Sequence, residues 1–203
     1  MIKAITFDLD GVYFPDGKAK FIENLENFGV SEDDARRVFL KSDEMNKLYK
    51  NGKMNDTEFW DWAVKEWNLE CNPQDIIQLL VDSYSISSEV KEVISTIRGN
   101  GYLALACSNN FPARVNGLQN KFGFLEDFDA KVFSYEIGAS KPDQKIFEAL
   151  IERARVEPKT IVFADDNEDN LVGAKQLGIN TFLYEGFDKF ITKLDSLGVN
   201  INE

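Results

Sequence analysis

The chain of 203 residues contains no histidine. Histidine is the commonest general base near neutral pH and a usual zinc ligand, so its absence excludes Ser-His-Asp hydrolysis and most zinc sites. Proton transfer in this protein must therefore use Asp, Glu, Lys, Tyr or Cys side chains.

Positive charge is scarce, with 23 Lys and Arg residues against 35 Asp and Glu residues and a formal net charge of −12. Nucleic-acid binding depends on basic clusters, so this balance argues against a nucleic-acid partner. No apolar run approaches the roughly 20 residues of a membrane helix. The first residues, MIKAITFDLDG, lack the features of a secretory signal. We expect a cytoplasmic protein that binds neither membranes nor nucleic acid.

Cysteine is also rare. Cys71 and Cys107 show no CxxC spacing and lie in segments of different pattern. In a cytoplasmic protein this predicts two buried free thiols rather than a disulfide.

Short apolar runs that end at a polar residue recur along the chain, as expected of strands buried on both faces of a parallel sheet. They are residues 2–7, 102–107, 160–164 and 181–184, with a weaker run at 131–134. Helical patterns at 88–98, 142–153 and 168–177 alternate with them. This alternation predicts an α/β fold built on a doubly wound parallel sheet.

The segment from residue 16 to residue 85 has a different pattern. It contains no convincing strand, and helical periodicity occurs at 21–28, 32–40, 57–67 and 73–84. We therefore predict a catalytic core formed by residues 1–15 and 86–203, with residues 16–85 inserted as a helical domain.

Polar side chains follow several of the predicted strands. They are Asp8, Asp10, Ser108, Asn109, Asp165 and Asp166, with Lys141 ahead of a later helix. Any one of them is usually a helix cap or a turn residue. Ligands of open parallel sheets bind beyond the carboxyl ends of the strands, however, and these segments should converge there. The coincidence favours a functional site.

The chemistry of the acidic residues points to a cation. Asp8, Asp165 and Asp166 would repel one another unless a metal ion lay between them. Oxygen ligands without histidine favour Mg²⁺. A carboxylate beside such an ion can act as a nucleophile, and Lys141 and Ser108 can hold phosphoryl oxygens.

Four segments resemble the four motifs of the haloacid dehalogenase (HAD) superfamily. They are DLDGV (residues 8–12), SNN (108–110), SKPD (140–143) and FADDNEDN (163–170), in the family's order. The resemblance covers the whole chain. The fourth motif and the overall size of the chain are similar to those of small sugar-phosphate phosphatases. It implies a Rossmann-like core and a Mg²⁺-dependent phosphatase that hydrolyses a small phosphorylated metabolite, such as a sugar phosphate, through an aspartyl-phosphate.

The resemblance also implies roles for the acidic residues. Asp8 would be the nucleophile and a metal ligand. Asp10 would bind the metal through its main-chain carbonyl, protonate the leaving oxygen and later activate water. Asp166 would be a direct metal ligand, and Asp165 would hold a metal-bound water.

The remaining motif residues, Ser108, Asn109 and Lys141, would bind the phosphoryl group. The helical insert occupies the position of the family's C1 cap, which closes over small substrates. Tyr13, Phe14 and Lys18, just beyond the first motif, are expected to contact substrate. The aromatic residues of the insert are expected to form its own core.

Other reactions of the same fold remain open at this point. A phosphomutase of the β-phosphoglucomutase type uses the same residues. A phosphonatase needs a reactive lysine in the cap, and no local feature marks Lys18, Lys41 or Lys47. A dehalogenase generally lacks the second aspartate, so Asp10 argues against it. A catalytically inactive binding protein is a further alternative, and the chain is expected to be a monomer or a homodimer.

Overall fold

The computed structural model describes residues 1–201 and contains one five-stranded sheet. Its strands are β1 (Ala4–Phe7), β2 (Leu103–Ser108), β3 (Ala130–Phe133), β4 (Ile161–Asp165) and β5 (Asn180–Leu183). All neighbouring strands are parallel, in the order β3-β2-β1-β4-β5. The predicted α/β fold is confirmed, with strand bounds shifted by one or two residues.

The register of the central strands sets the position of the polar residues that follow them. Phe7 of β1 is paired with Ala106 of β2 on one side and with Ala164 of β4 on the other. Asp8 follows Phe7 directly, and Asp165 follows Ala164 as the last residue of β4. Strands β2 and β3 lie on one side of β1, and β4 and β5 lie on the other. Open α/β sheets bind ligands at such a point, where the order of the strands reverses.

The segment between β1 and β2 is helical, as predicted. It contains α1 (Gly17–Leu25), α2 (Glu32–Arg36), α3 (Asp56–Glu66) and α4 (Pro73–Asp82). Wide helical turns at Arg37–Lys41 and Glu44–Leu48 and a tight turn at Tyr49–Asn51 join α2 to α3. Asn55 caps α3. Its side chain accepts a hydrogen bond from the main-chain N–H of Glu58, and the side chain of Glu58 accepts one from the main-chain N–H of Asn55.

Aromatic side chains form the interior of this insert. Phe21, Phe39, Phe59 and Trp60 are at most 2% exposed, and their rings meet mostly edge to face. Burial of such a ring contributes about 1.5–3 kcal/mol. Trp60 also donates a hydrogen bond to the hydroxyl of Tyr49. The expectation that these residues form a core is confirmed.

Within the described residues, six further α-helices lie on the two faces of the sheet. They are α5 (Ser88–Gly99), α6 (Pro112–Phe122), α7 (Ser134–Ile137), α8 (Gln144–Ala154), α9 (Val172–Gln176) and α10 (Phe187–Ser196). Alternate strand residues face opposite sides: Ile5 and Phe7 join one buried cluster, whereas Leu105 and Phe163 join the other. The predicted helix at 168–177 is divided, because residues Glu168–Leu171 form a tight turn before α9.

Both cysteines are free, as predicted, although only Cys107 is buried and Cys71 is partly exposed. No helix within residues 1–201 combines the length and the apolar character that a membrane span needs.

Candidate active site

Lys141 lies between two of the predicted carboxylates. Its Nζ atom donates a 2.6 Å hydrogen bond to Oδ2 of Asp165 and a 2.9 Å bond to the carbonyl of Cys107, and it lies 2.9 Å from Oδ1 of Asp8. Burial alone would lower the pKa of Lys141, but Asp8 and Asp165 reverse this effect and raise it. The lysine is therefore charged, and it joins the first, third and fourth motifs.

Asn109 positions Lys141 through its side chain. Its Oδ1 atom accepts from the main-chain N–H of Lys141 at 2.7 Å, and its Nδ2 atom donates to the carbonyl of Lys141 at 3.1 Å. Ser108, at the end of β2, is 1% exposed and its hydroxyl accepts a long 3.4 Å bond from Asn110. The structure thus gives Asn109 a contact with the lysine that its motif alone does not specify.

Asp8 is buried among charges of both signs. Burial raises its pKa to about 7, Lys141 opposes this rise, and Asp165 and Asp10 add to it. Lys141 is shared by the carboxylates of Asp8 and Asp165, so one positive charge faces two negative charges. A bound cation would restore the balance.

The acidic residues fit a metal ion. One oxygen from each of Asp8, Asp165 and Asp166 lies within 4.8 Å of the others. Asp165 already accepts from Lys141, from the main chain of Asn167 and from the side chain of Asn170. Among the described residues, Asp166 has no hydrogen-bond partner, which leaves its carboxylate available as a ligand. These all-oxygen donors fit Mg²⁺.

Gly11 makes room for this acidic group. Its φ angle is +80°, and a Cβ atom at this position would overlap the carboxylate of Asp166. Only glycine combines this backbone conformation with such a close approach. The glycine of the first motif therefore has a steric role at the fourth motif.

The carboxylate of Asp10 is not part of the acidic group. Its Oδ1 atom accepts a 3.1 Å bond from the hydroxyl of Tyr84, and its Oδ2 atom lies 2.7 Å from Arg114 and 3.2 Å from Lys18. Burial would raise the pKa of Asp10, but Arg114 and Lys18 lower it to about 2. Asp10 is ionised at neutral pH.

Arg114 is a site residue that the sequence did not reveal. It is 1% exposed, and its guanidinium donates to Asn110, to the hydroxyl of Tyr84 and to the carbonyl of Asn109 at 2.7, 2.9 and 3.2 Å. An arginine in the first turn of an amphipathic helix is usually a surface residue. Only the position of α6 beside Asp10 shows otherwise.

Lys50 is a second residue that sequence reasoning missed. It belongs to the Tyr49–Asn51 turn of the insert, and no local motif marks it. Its pKa is lowered to about 7 by burial and by the neighbouring charges of Lys18 and Arg114, while Asp10 and Asp8 act in the opposite direction. The insert thus adds to the site a lysine that burial and its neighbours leave only partly protonated at neutral pH.

The expected substrate contacts of two aromatic residues near the first motif stay predictions. Tyr13 and Phe14 are at most 1% exposed and pack against Phe124. The Tyr13 hydroxyl donates to Asp127. Lys18 does lie at the site, where it contacts Asp10.

The insert covers the site. Asp8, Asp10 and Lys141 are each about 5% exposed or less. A cleft of about 750 Å³ lies elsewhere, between α3, α4 and α6, and none of the motif residues lines it. The structure therefore shows a closed arrangement of insert and sheet.

A parallel α/β sheet with an acidic group and a buried lysine at its carboxyl edge agrees with the resemblance of the four motifs to the HAD superfamily. The chain matches the family model of haloacid dehalogenase-like hydrolases over residues 2–178. It belongs to this family of hydrolases.

The chain is also similar to individual members. It is 25% identical over 195 residues to the D-ribitol-5-phosphate phosphatase of Bacteroides thetaiotaomicron. The aligned region covers 90% of this chain and 91% of that protein. A magnesium complex of a HAD family enzyme from the same organism has a TM-score of 0.78 and 24% identity, over 94% and 98% of the two chains. A complex with magnesium and inorganic phosphate has a TM-score of 0.74 and 23% identity, over 94% and 99%. These structural likenesses show the fold.

Proposed function

We propose that the chain is a Mg²⁺-dependent phosphatase that hydrolyses a small phosphorylated metabolite through an aspartyl-phosphate on Asp8. The observation that supports it best is the position of Asp8, which lies within 4.8 Å of Asp165 and Asp166 and contacts Lys141. This arrangement places a nucleophile, metal-binding oxygens and a phosphate-binding cation together. Residues 16–85 act as the cap in this proposal.

Mg²⁺ would be held by Asp8, Asp166 and the main-chain carbonyl of Asp10, with Asp165 bound to its water, and would supply positive charge against the phosphoryl oxygens. Lys141 and Ser108 bind those oxygens from the protein side. The side chain of Asn109 makes two hydrogen bonds to the main chain of Lys141. These bonds hold Lys141 in place before substrate arrives.

In the first step, an Asp8 oxygen bonds to phosphorus as the ester P–O bond breaks. The leaving oxygen takes a proton from Asp10 and departs as an alcohol. Water then attacks phosphorus, Asp10 takes a proton from that water, and the bond between Asp8 and phosphorus breaks to release phosphate. Asp10 is ionised in the closed structure, so it can act as the base directly. To hold a proton in the first step, Asp10 must be relieved of part of the positive charge of Arg114 and Lys18, which lower its pKa; of these two side chains, Lys18 is 40% exposed and Arg114 is buried.

The decisive experiment measures phosphate release from p-nitrophenyl phosphate and from D-ribitol 5-phosphate, with Mg²⁺ or with EDTA. We expect EDTA and Asp8→Asn each to reduce turnover by more than about 1,000-fold. Asp33→Asn, an exposed acid in α2, is the matched control and should retain full activity. Metal-independent turnover, or turnover that survives Asp8→Asn, would refute the proposal.

Asp10→Asn tests the acid–base role separately. It should reduce turnover by about 10²–10⁴-fold and leave Mg²⁺ affinity unchanged, because the metal contact assigned to this residue is a main-chain carbonyl. Unchanged turnover would remove Asp10 from the mechanism.

A further inference from the structure

The guanidinium of Arg114 is held by several polar groups at once. Its Nε atom donates to Oδ1 of Asn110 at 2.7 Å, its Nη1 atom to the hydroxyl of Tyr84 at 2.9 Å, and its Nη2 atom to the carbonyl of Asn109 at 3.2 Å. The same Nη2 atom lies 2.7 Å from Oδ2 of Asp10, and these two side chains are 1% and 6% exposed. Because a guanidinium is planar and rigid, this set of partners allows it a single orientation.

The two carboxylate oxygens of Asp10 differ in their contacts. Oδ1 accepts a hydrogen bond from Tyr84. Oδ2 lies in ion-pair contact with Arg114 and Lys18 but accepts no aligned hydrogen bond within the described residues. Such an oxygen keeps a lone pair for a further partner. Oδ2 is therefore the oxygen available for proton exchange with substrate, and Arg114 sets its position.

Phe111, the residue directly after the second motif, supports Arg114. The Cζ atom of Arg114 lies 4.6 Å from the centre of the Phe111 ring, within the range of a cation–π contact. The main-chain N–H of Phe111 donates a 3.0 Å bond to Oδ1 of Asn110, the atom that also accepts from Arg114. The place of the guanidinium thus depends on the place of this ring.

The ring of Phe111 completes the aromatic interior of the insert. It is 0% exposed and is stacked on Tyr49, with 4.7 Å between the ring centres. It also meets Phe39 at 6.2 Å and Trp60 at 6.3 Å. These three partners belong to the insert, whereas Phe111 directly precedes α6 of the core. The insert therefore holds the ring that supports Arg114.

The contacts connect the aromatic interior of the insert to the carboxylate of Asp10. We propose that Arg114 and Phe111 are positioning residues: Arg114 holds the Asp10 carboxylate with Oδ2 placed for proton transfer, and Phe111, anchored in the insert, holds Arg114. This inference rests on the proposed phosphatase function and assigns roles to two residues that lie outside its four motifs.

A misplaced Asp10 should affect substrates according to their leaving group. A proton from Asp10 matters most for a strongly basic leaving oxygen and little for a weakly basic one. Phenyl phosphate and p-nitrophenyl phosphate share the ring and the phosphoryl group, and the leaving oxygen of phenyl phosphate is the more basic. The value of kcat/KM covers the steps up to transfer of the phosphoryl group, so the later hydrolysis common to both substrates does not enter the comparison.

Arg114→Lys keeps the positive charge but replaces the planar fork with one ammonium, which cannot reach all of the partners. With Mg²⁺ present, we expect kcat/KM to fall by roughly 10- to 100-fold for phenyl phosphate and by less than about 3-fold for p-nitrophenyl phosphate. Arg98→Lys is the matched control, since Arg98 is 39% exposed and pairs with Asp129. It should change neither value.

Phe111→Leu keeps an apolar side chain and the ion pair but removes the ring, so it tests the proposal even where Arg114→Lys does not fold. The ratio of the two kcat/KM values should change in the same direction by about 3- to 10-fold. Phe190→Leu is its control, since Phe190 is 1% exposed and packs against Phe7 and Phe182. Thermal unfolding should show that both leucine variants lose stability, whereas only Phe111→Leu should change the ratio.

Equal losses on the two substrates in Arg114→Lys would show that the arginine is only structural and would overturn the proposal. An unchanged ratio in Phe111→Leu would overturn the link to the insert. Absence of Mg²⁺-dependent release by the wild type from both substrates would instead overturn the phosphatase proposal itself.

Discussion

The hydroxyl of Tyr84 donates a 3.1 Å hydrogen bond to Oδ1 of Asp10 and accepts a 2.9 Å bond from Arg114. Tyr84 lies just beyond α4, in the connection that returns from the insert to the sheet. Its ring lies against Gly17 at the start of α1, where a Cβ atom would overlap it. One side chain therefore touches both connections of the insert and the carboxylate assigned to proton transfer.

Tyr84→Phe removes that hydroxyl and keeps the ring. We expect kcat to fall by roughly 10-fold because Asp10 loses one of the bonds that orient it, a contact of about 0.5–1.5 kcal/mol or more when an ion takes part. The melting temperature should change little. Tyr102→Phe is the control, since its hydroxyl contacts Gly198 far from the site. Equal kcat values for both variants would contradict a positioning role for Tyr84.

Gly11→Ala should weaken Mg²⁺ binding. Gly11 and Gly178 have similar φ angles, +80° and +82°, but only a Cβ atom at position 11 meets another group, the carboxylate of Asp166. Both alanine variants should lose about 1–2 kcal/mol of stability through backbone strain. Calorimetric titration of Mg²⁺ should show a loss of affinity in Gly11→Ala alone. Equal Mg²⁺ affinity in the two variants would show that Asp166 does not bind the metal ion.

The metal-free protein should become less stable as the pH rises from about 4 to about 7. The pKa of Asp8 is raised from 3.8 to about 7 in the folded state, so the folded chain binds more protons than the unfolded chain in this interval. The free energy of unfolding should therefore fall by on the order of 2–4 kcal/mol and level off above pH 7.

Denaturant unfolding in EDTA across this pH range, compared between wild type and Asp8→Asn, checks the effect. In Asp8→Asn, the fall in the free energy of unfolding that comes from the titration of Asp8 should be absent. Asp10 does not interfere, because its pKa is lowered to about 2 and its contribution is lost only as the pH falls below about 4. The same slope in both proteins would show that Asp8 is not the titrating group.

Lys141→Met should destabilise the metal-free protein by about 3–5 kcal/mol, because Asp8 and Asp165 lose the buried cation between them. Mg²⁺ should restore part of this stability by supplying positive charge nearby. Lys145→Met, an exposed position in α8, is the control. Thermal unfolding with and without Mg²⁺ measures both effects. A loss of stability as small as that of the control would show that Lys141 does not balance the acidic residues.

The sheet and its polar edge were predictable from local sequence pattern. Buried parallel strands give continuous apolar runs, so the runs before Asp8, Ser108 and Asp165 could be recognised, and parallel strands bring their carboxyl ends to one edge. The strand and helix bounds were less accurate, as at 168–177, because a tight turn and a short helix have similar periodicity.

What the sequence by itself determined is the α/β fold, the helical insert and the set of acidic and basic residues that meet at the sheet edge, since each depends on short-range periodicity and on motif order. The tertiary structure alone decided the roles of Arg114, Tyr84 and Lys50. These three residues lie on α6, on the return connection and on a turn of the insert, and nothing in their neighbouring residues marks them. Arg114 and Tyr84 reach Asp10 because α6 and the insert both pack against the sheet, and contacts between such distant segments are set by packing rather than by local pattern.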